Sequence, residues 1–148
     1  MLTQFSKYNN WANSILLDAL LANSGFNPDS CISLFNHIVN AQSIWISRIN
    51  GLEPAVGVWQ ENELKICKIL LEESVSALSL IEFPDSTESM IIKYTNTIGD
   101  YYETSVFDIL LHVFNHGTYH RAQIAREMRL HNLTPVNTDY IQFVRLHS

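Results

Sequence analysis

The sequence predicts an all-α fold, a four-helix bundle broken once by a small β-hairpin or extended segment before the last long helix. Three observations carry that expectation. Four stretches place apolar residues at steps of three and four, the period of an amphipathic helix. Glycine, proline or a capping residue bounds them. Four long helices in 148 residues must bury their apolar stripes against one another, and a single helical domain spanning 1–148 is the economical solution.

The first stretch, FSKYNNWANSILLDALLAN, puts Phe5, Tyr8, Trp11, Ala12, Ile15, Leu16, Ala19 and Leu20 on one side. It should stop at Ser24-Gly25, where glycine can take the left-handed conformation that closes a helix. A second helix is expected after Pro28, capped by Asp29 or Ser30 and running to Asn50-Gly51. Its inward stripe reads Leu34, Ile38, Ala41, Trp45 and Ile49. The third pattern runs from about Gln60 to Ile81 through Leu64, Cys67, Leu71, Val75 and Leu78, with Pro84 and Asp85 ending it.

SMIIKYTNTIGDYYETS is different in texture, rich in β-branched and aromatic residues with turn formers at Asn96 to Gly99. Residues 89–95 and 99–104 therefore read as two arms of a hairpin. Ser105 and Asp108 have the spacing of a capping box, with hydroxyl and carboxylate satisfying opposing free amides. The helix that follows should reach Leu130, near His131-Asn132. The tail TPVNTDYIQFVRLH reads as a loop and one or two short helical turns.

Composition narrows the function classes. Hydrophobic residues at 47% and charged residues at 16% suit a globular chain. No apolar run approaches a membrane span, and no signal sequence opens the chain, so a cytoplasmic address is expected. The net charge of −6 lacks the basic footprint that nucleic-acid binding needs. Cys31 and Cys67 are the two cysteines, far apart in the chain, so neither a cysteine zinc site nor a structural disulfide is expected.

The chemistry concentrates in HVFNHGTYHR, where His112, His116 and His120 recur every four residues. Each step of four drifts by only about 40° around a helix, so His116 and His120 share a face and form a two-ligand arrangement for a divalent metal. Surface or hydrogen-bonded core histidines are the plain alternative. A third ligand should come from a facing helix. His37, in LFNHIVNAQSIW, lies on the stripe expected to face the core, where an unpartnered imidazole is costly. Alone it would read as a satisfied core histidine; beside the other pair it is the natural third ligand. Gln123 returns to the histidine line and could orient a ligand, whereas Arg121 points away from it. His131 and His147 fall in loop and tail positions and carry no expected role.

Two reaction classes drop out. A zincin needs H-E-x-x-H, and Gly117 follows His116. A di-iron carboxylate bundle needs Glu-x-x-His pairs on two helices, and none is present. A mononuclear three-histidine site with an open position remains. Ser105 reads as a cap and Cys31 and Cys67 as small core residues; Trp11, Trp45 and Trp59 could line a pocket, with core or interface packing favoured for each.

The sequence resembles the DinB family, grouped with YfiT-like proteins, over nearly its whole length. YNNWAN at 8–13 is similar to the family's first helix and LFNHIVNAQSIWISRINGL at 34–52 to its second. SVFDILLHVFNHGTYHRAQIAREMR at 105–129 and TPVNTDYIQFVR at 134–145 follow in order. The resemblance implies a four-helix bundle with a long crossover, commonly a homodimer. It also implies a divalent metal held by one histidine of the second helix and two of the fourth, here His37, His116 and His120. His112 then belongs beside the site, as a pocket wall. The chain departs from the family at Gly117, often a glutamate, and at Ala122, often a glycine. Zinc or nickel is the expected metal, with iron and manganese as further candidates.

The resemblance further implies a metal-dependent transferase that uses a low-molecular-weight thiol on a small-molecule substrate. A metal-dependent hydrolase and a non-catalytic metal-binding dimer are the alternatives.

Overall fold

A computed structural model of the chain describes residues 1–81 and 89–147. Among these residues it holds five helices and two strands: α1 (Leu2–Ala22), α2 (Asp29–Ile49), α3 (Leu64–Leu80), β1 (Ile91–Thr95), β2 (Tyr101–Ser105), α4 (Val106–Leu130) and α5 (Tyr140–Leu146). The protein is mostly helical with one small antiparallel sheet. Helix α2 packs between α3 and α4, while α1 packs on α3, α4 and α5.

The apolar stripes meet in two main clusters. One joins Leu16, Leu17 and Leu20 of α1 to Phe35, Ile38 and Val39 of α2, Leu71 of α3, and Ile124 and Met128 of α4. The other gathers Leu2, Ile46, Leu78, Val106, Leu110, Val113 and Phe114 near the hairpin. Each fully buried large side chain contributes about 1.5–3 kcal/mol relative to exposure. A third, aromatic cluster seats α5 through Phe143 against Tyr8 and Ala12.

Termini and turns follow the residues that suit them. Gly25, just past α1, has φ +83°, a conformation open to glycine. The hairpin pairs Ile91 with Ser105 through Thr95 with Tyr101. Its turn is held by the Asn96 side-chain oxygen, which accepts from the amides of Ile98 and Asp100, with Gly99 at φ +95°. Ser105 caps α4 by accepting from the Asp108 amide at 3.0 Å. The other half of the expected box differs: the Asp108 carboxylate accepts from the Ser105 hydroxyl at 2.6 Å. The expected stop at Pro84 and Asp85 lies outside the described residues.

One boundary moves for a clear reason. Helix α3 begins at Leu64, and residues 60–63 are not helical. Two buried asparagines of α2 hold that segment from the side. Asn40 donates to the Gln60 carbonyl at 2.7 Å. Asn36 accepts from the Asn62 amide at 2.8 Å and donates to the Asn62 carbonyl at 3.1 Å. Backbone groups engaged in this way are not free for a helical ladder. The connection from α2 to α3 is thereby fixed along α2, next to His37.

Candidate metal centre

Helix α2 is buried on more than one face because α3, α4 and the 57–62 segment all cover it. Asn36, His37, Asn40 and Gln42 are its buried polar residues. Buried polar groups need partners, and His37, 8% exposed, has two. Its Nδ1 lies 3.2 Å from the Val58 carbonyl oxygen. A carbonyl only accepts, so Nδ1 carries the proton and the Nε2 lone pair of the neutral ring faces α4.

Across the helix pair, His37 Nε2 is 3.0 Å from His116 Nε2. One helical turn on, His120 turns its ring to within 4.7 Å of His37 and 4.4 Å of His116, centroid to centroid. Its Nδ1 lies 2.7 Å from the Gln123 side-chain oxygen, so there too the proton sits on Nδ1 and Nε2 is left as a donor atom for a metal. One ligand atom from each of His37, His116 and His120 falls within 4.8 Å of the others. Two zinc-bound imidazole nitrogens at about 2.0–2.1 Å sit roughly 3.3 Å apart in a tetrahedral set. The 3.0 Å pair is close to that edge, and the donor set is all imidazole. The three residues fit a borderline divalent cation.

Electrostatics favour the ligating form of the rings. Burial, reinforced by His120, His37 and His112 nearby, pushes the His116 imidazole down to about 4. Burial also lowers His37, opposed by its bond to Val58, and lowers His112. Metal binding requires neutral imidazole, so these rings are kept in that form at neutral pH.

His112 stands beside the trio rather than in it. Its ring is 5.4 Å from that of His116 and 5.6 Å from that of Trp45, centroid to centroid. It also lines a groove of about 640 Å³ with Phe5, Asp108, Phe114, Asp139 and Tyr140.

Arg121, adjacent to His120 in sequence, turns to α1. It is 2% exposed and donates to Asn9 at 3.0 Å, Asn13 at 2.7 Å and Thr118 at 3.0 Å. Asn9 in turn donates to Gln42 of α2 at 2.8 Å, so one polar network ties α1, α2 and α4. Gly117 lies under that network. A Cβ there would come within 2.7 Å of both Arg121 Nη1 and Asn9 Oδ1. Position 117 faces α1, and the guanidinium occupies the space a larger side chain would need.

His131 and His147 bond back to carbonyls near the ends of their own helices. Both cysteines are buried and free, and burial pushes each thiol up to about 11. Neither is poised as a nucleophile.

The sequence favours core or interface packing for Trp59 and does not show its place against His37. Trp59 does not pack into the core: it is 58% exposed, and its indole stacks on the His37 ring at 3.8 Å with an interplanar angle of 5°. An available signal was the pair Asn36 and Asn40 flanking His37 on the core-facing side of α2. Two asparagines there need polar partners, and the neighbouring loop is their source.

A family model described as the DinB family matches residues 1–147. No curated protein matches the chain.

Proposed function

The chain belongs to the DinB family, and on that premise we propose that it is a metal-dependent enzyme of the thiol-transferase type acting on small molecules. The observation that carries the reading is the convergence of His37, His116 and His120 from two helices, with one ligand atom each inside 4.8 Å. Zinc or nickel suits three imidazoles. A bound divalent ion would supply Lewis acidity and stabilise the sulfur of a low-molecular-weight thiol as thiolate.

The chain's own residues would hold that ion and shape its surroundings. His37 and His120 are oriented by the Val58 carbonyl and the Gln123 amide oxygen. His112, whose ring lies beside that of His116, also lines a groove of mixed polar and apolar side chains with room for a small electrophile. Only burial, the Val58 carbonyl and other histidines perturb His37 and His116; no carboxylate acts on either among the described residues. A metal-bound hydroxide and a metal-bound thiolate can each attack without a separate general base, so the transferase and hydrolase readings are divided by assay.

The same proposal takes the helices as a four-helix bundle with a long crossover, residues 1–148 as one domain, and the protein as a cytoplasmic homodimer. Two observations are compatible with it: the net charge of −6, and the absence, among the described residues, of any helix long and apolar enough to cross a membrane.

Tag-free protein with one equivalent of zinc or nickel, assayed for conjugation of bacillithiol or mycothiol to a small electrophile, should turn over. His116→Ala should lose both metal and turnover. Ester hydrolysis without thiol conjugation would replace the transferase reading with the hydrolase one.

A further inference from the structure

We infer that residues 57–62 form a clamp that positions His37 for metal binding, with Trp59 as its working side chain. The inference rests on the metal reading above and adds a residue that the histidine pattern does not contain. Three contacts converge on one imidazole and its helix. The Val58 carbonyl accepts from His37 Nδ1 at 3.2 Å and so fixes the tautomer. The Trp59 indole lies flat on the ring at 3.8 Å and 5°. Asn36 and Asn40, on either side of His37 in α2, hold the backbone of Asn62 and Gln60.

A tryptophan left 58% exposed loses the usual reason for its placement, which is burial of its area. Among the described residues its one ring partner is the imidazole beneath it. The loop is also stiffened from within: Gln60 accepts from the Gly57 amide at 3.1 Å and donates to Asn62 at 3.0 Å. Side-chain anchors at 36 and 40 therefore reach the indole through a short, internally bonded segment. The stack blocks rotation of the His37 ring about its own axis, and the Val58 bond sets which nitrogen looks at His116. Both act on the ligand atom, whose Nε2 already stands 3.0 Å from that of His116. Partners that orient a metal-bound histidine typically change metal affinity 10–100-fold when removed.

The test is the zinc dissociation constant, measured by competition with a chromophoric chelator on tag-free wild-type protein, Trp59→Phe, Trp59→Leu and His116→Ala. Alongside it run the thermal midpoint of each metal-free protein and the chemical shifts of the His37 ring protons. Trp59→Leu should bind zinc about tenfold more weakly, at an unchanged metal-free midpoint. Its His37 ring protons should move downfield as the ring-current shielding of the stacked indole is lost. Trp59→Phe keeps a flat ring and should stay within about threefold of wild type. Zinc affinity equal to wild type in Trp59→Leu would overturn the clamp, as would a loss matched by a lowered metal-free midpoint. Absence of zinc binding in the wild type would instead refute the metal reading itself, and His116→Ala gives the baseline for that outcome.

Discussion

Gly117 and Arg121 show how a single position is set by what surrounds it. In an exposed helix interior, Gly→Ala would gain about 1 kcal/mol of helix propensity. Here the added Cβ meets Arg121 Nη1 and Asn9 Oδ1 at 2.7 Å and forces apart a buried hydrogen bond to a charged group, worth about 1.5–3 kcal/mol. Gly117→Ala should therefore destabilise the protein, by roughly 1 kcal/mol net, as read from denaturant unfolding. A stabilised variant would mean the Arg121 network yields freely. The contact also changes how the departure at this position is understood. A glutamate at 117 would point toward α1 and the guanidinium, so its lack subtracts nothing from the histidine side of α4.

At the scale of elements, the helices were legible because their apolar periods are long and their stops are marked. The hairpin was legible because β-branched residues flank a turn sequence. The start of α3 was not, since Gln60 to Glu63 continue a helical pattern locally. What decides there is non-local: Asn36 and Asn40 take the backbone groups of Asn62 and Gln60. The same contacts explain why two helical histidine positions and His37 could be found from spacing while Trp59 could not. Stacking across a loop leaves no period in the sequence. Asn36→Ala should cost roughly 1–3 kcal/mol by stranding the Asn62 amide and carbonyl. It should also speed hydrogen exchange at the Asn62 amide, whereas unchanged exchange there would show that the loop holds itself in place.

For the molecule as a whole, the clustered histidines link stability to pH. The His116 imidazole has an ordinary value of 6.5 and is held at about 4 in the fold. Between those values the unfolded chain binds more protons than the folded one, so stability rises with pH across that window. The contribution is complete above about 6.5 and is lost as pH falls through about 4; His37 and His112 act in the same direction. The thermal midpoint of the metal-free protein should fall over this range, and His116→Gln should flatten part of the slope. A slope identical in the two proteins would place the pH dependence elsewhere, in the carboxylates. Zinc should raise the midpoint at neutral pH, since a ligand that binds the folded state stabilises it by mass action. That rise should be absent in His116→Ala.

Under the proposed function, His37, His116 and His120 together hold one divalent metal ion. Zinc-edge X-ray absorption on tag-free protein loaded with one equivalent tests it most directly. Three imidazole nitrogens at about 2.0–2.1 Å are expected, reduced to two in His37→Ala. A spectrum with one imidazole or none, or one unchanged by His37→Ala, would contradict it.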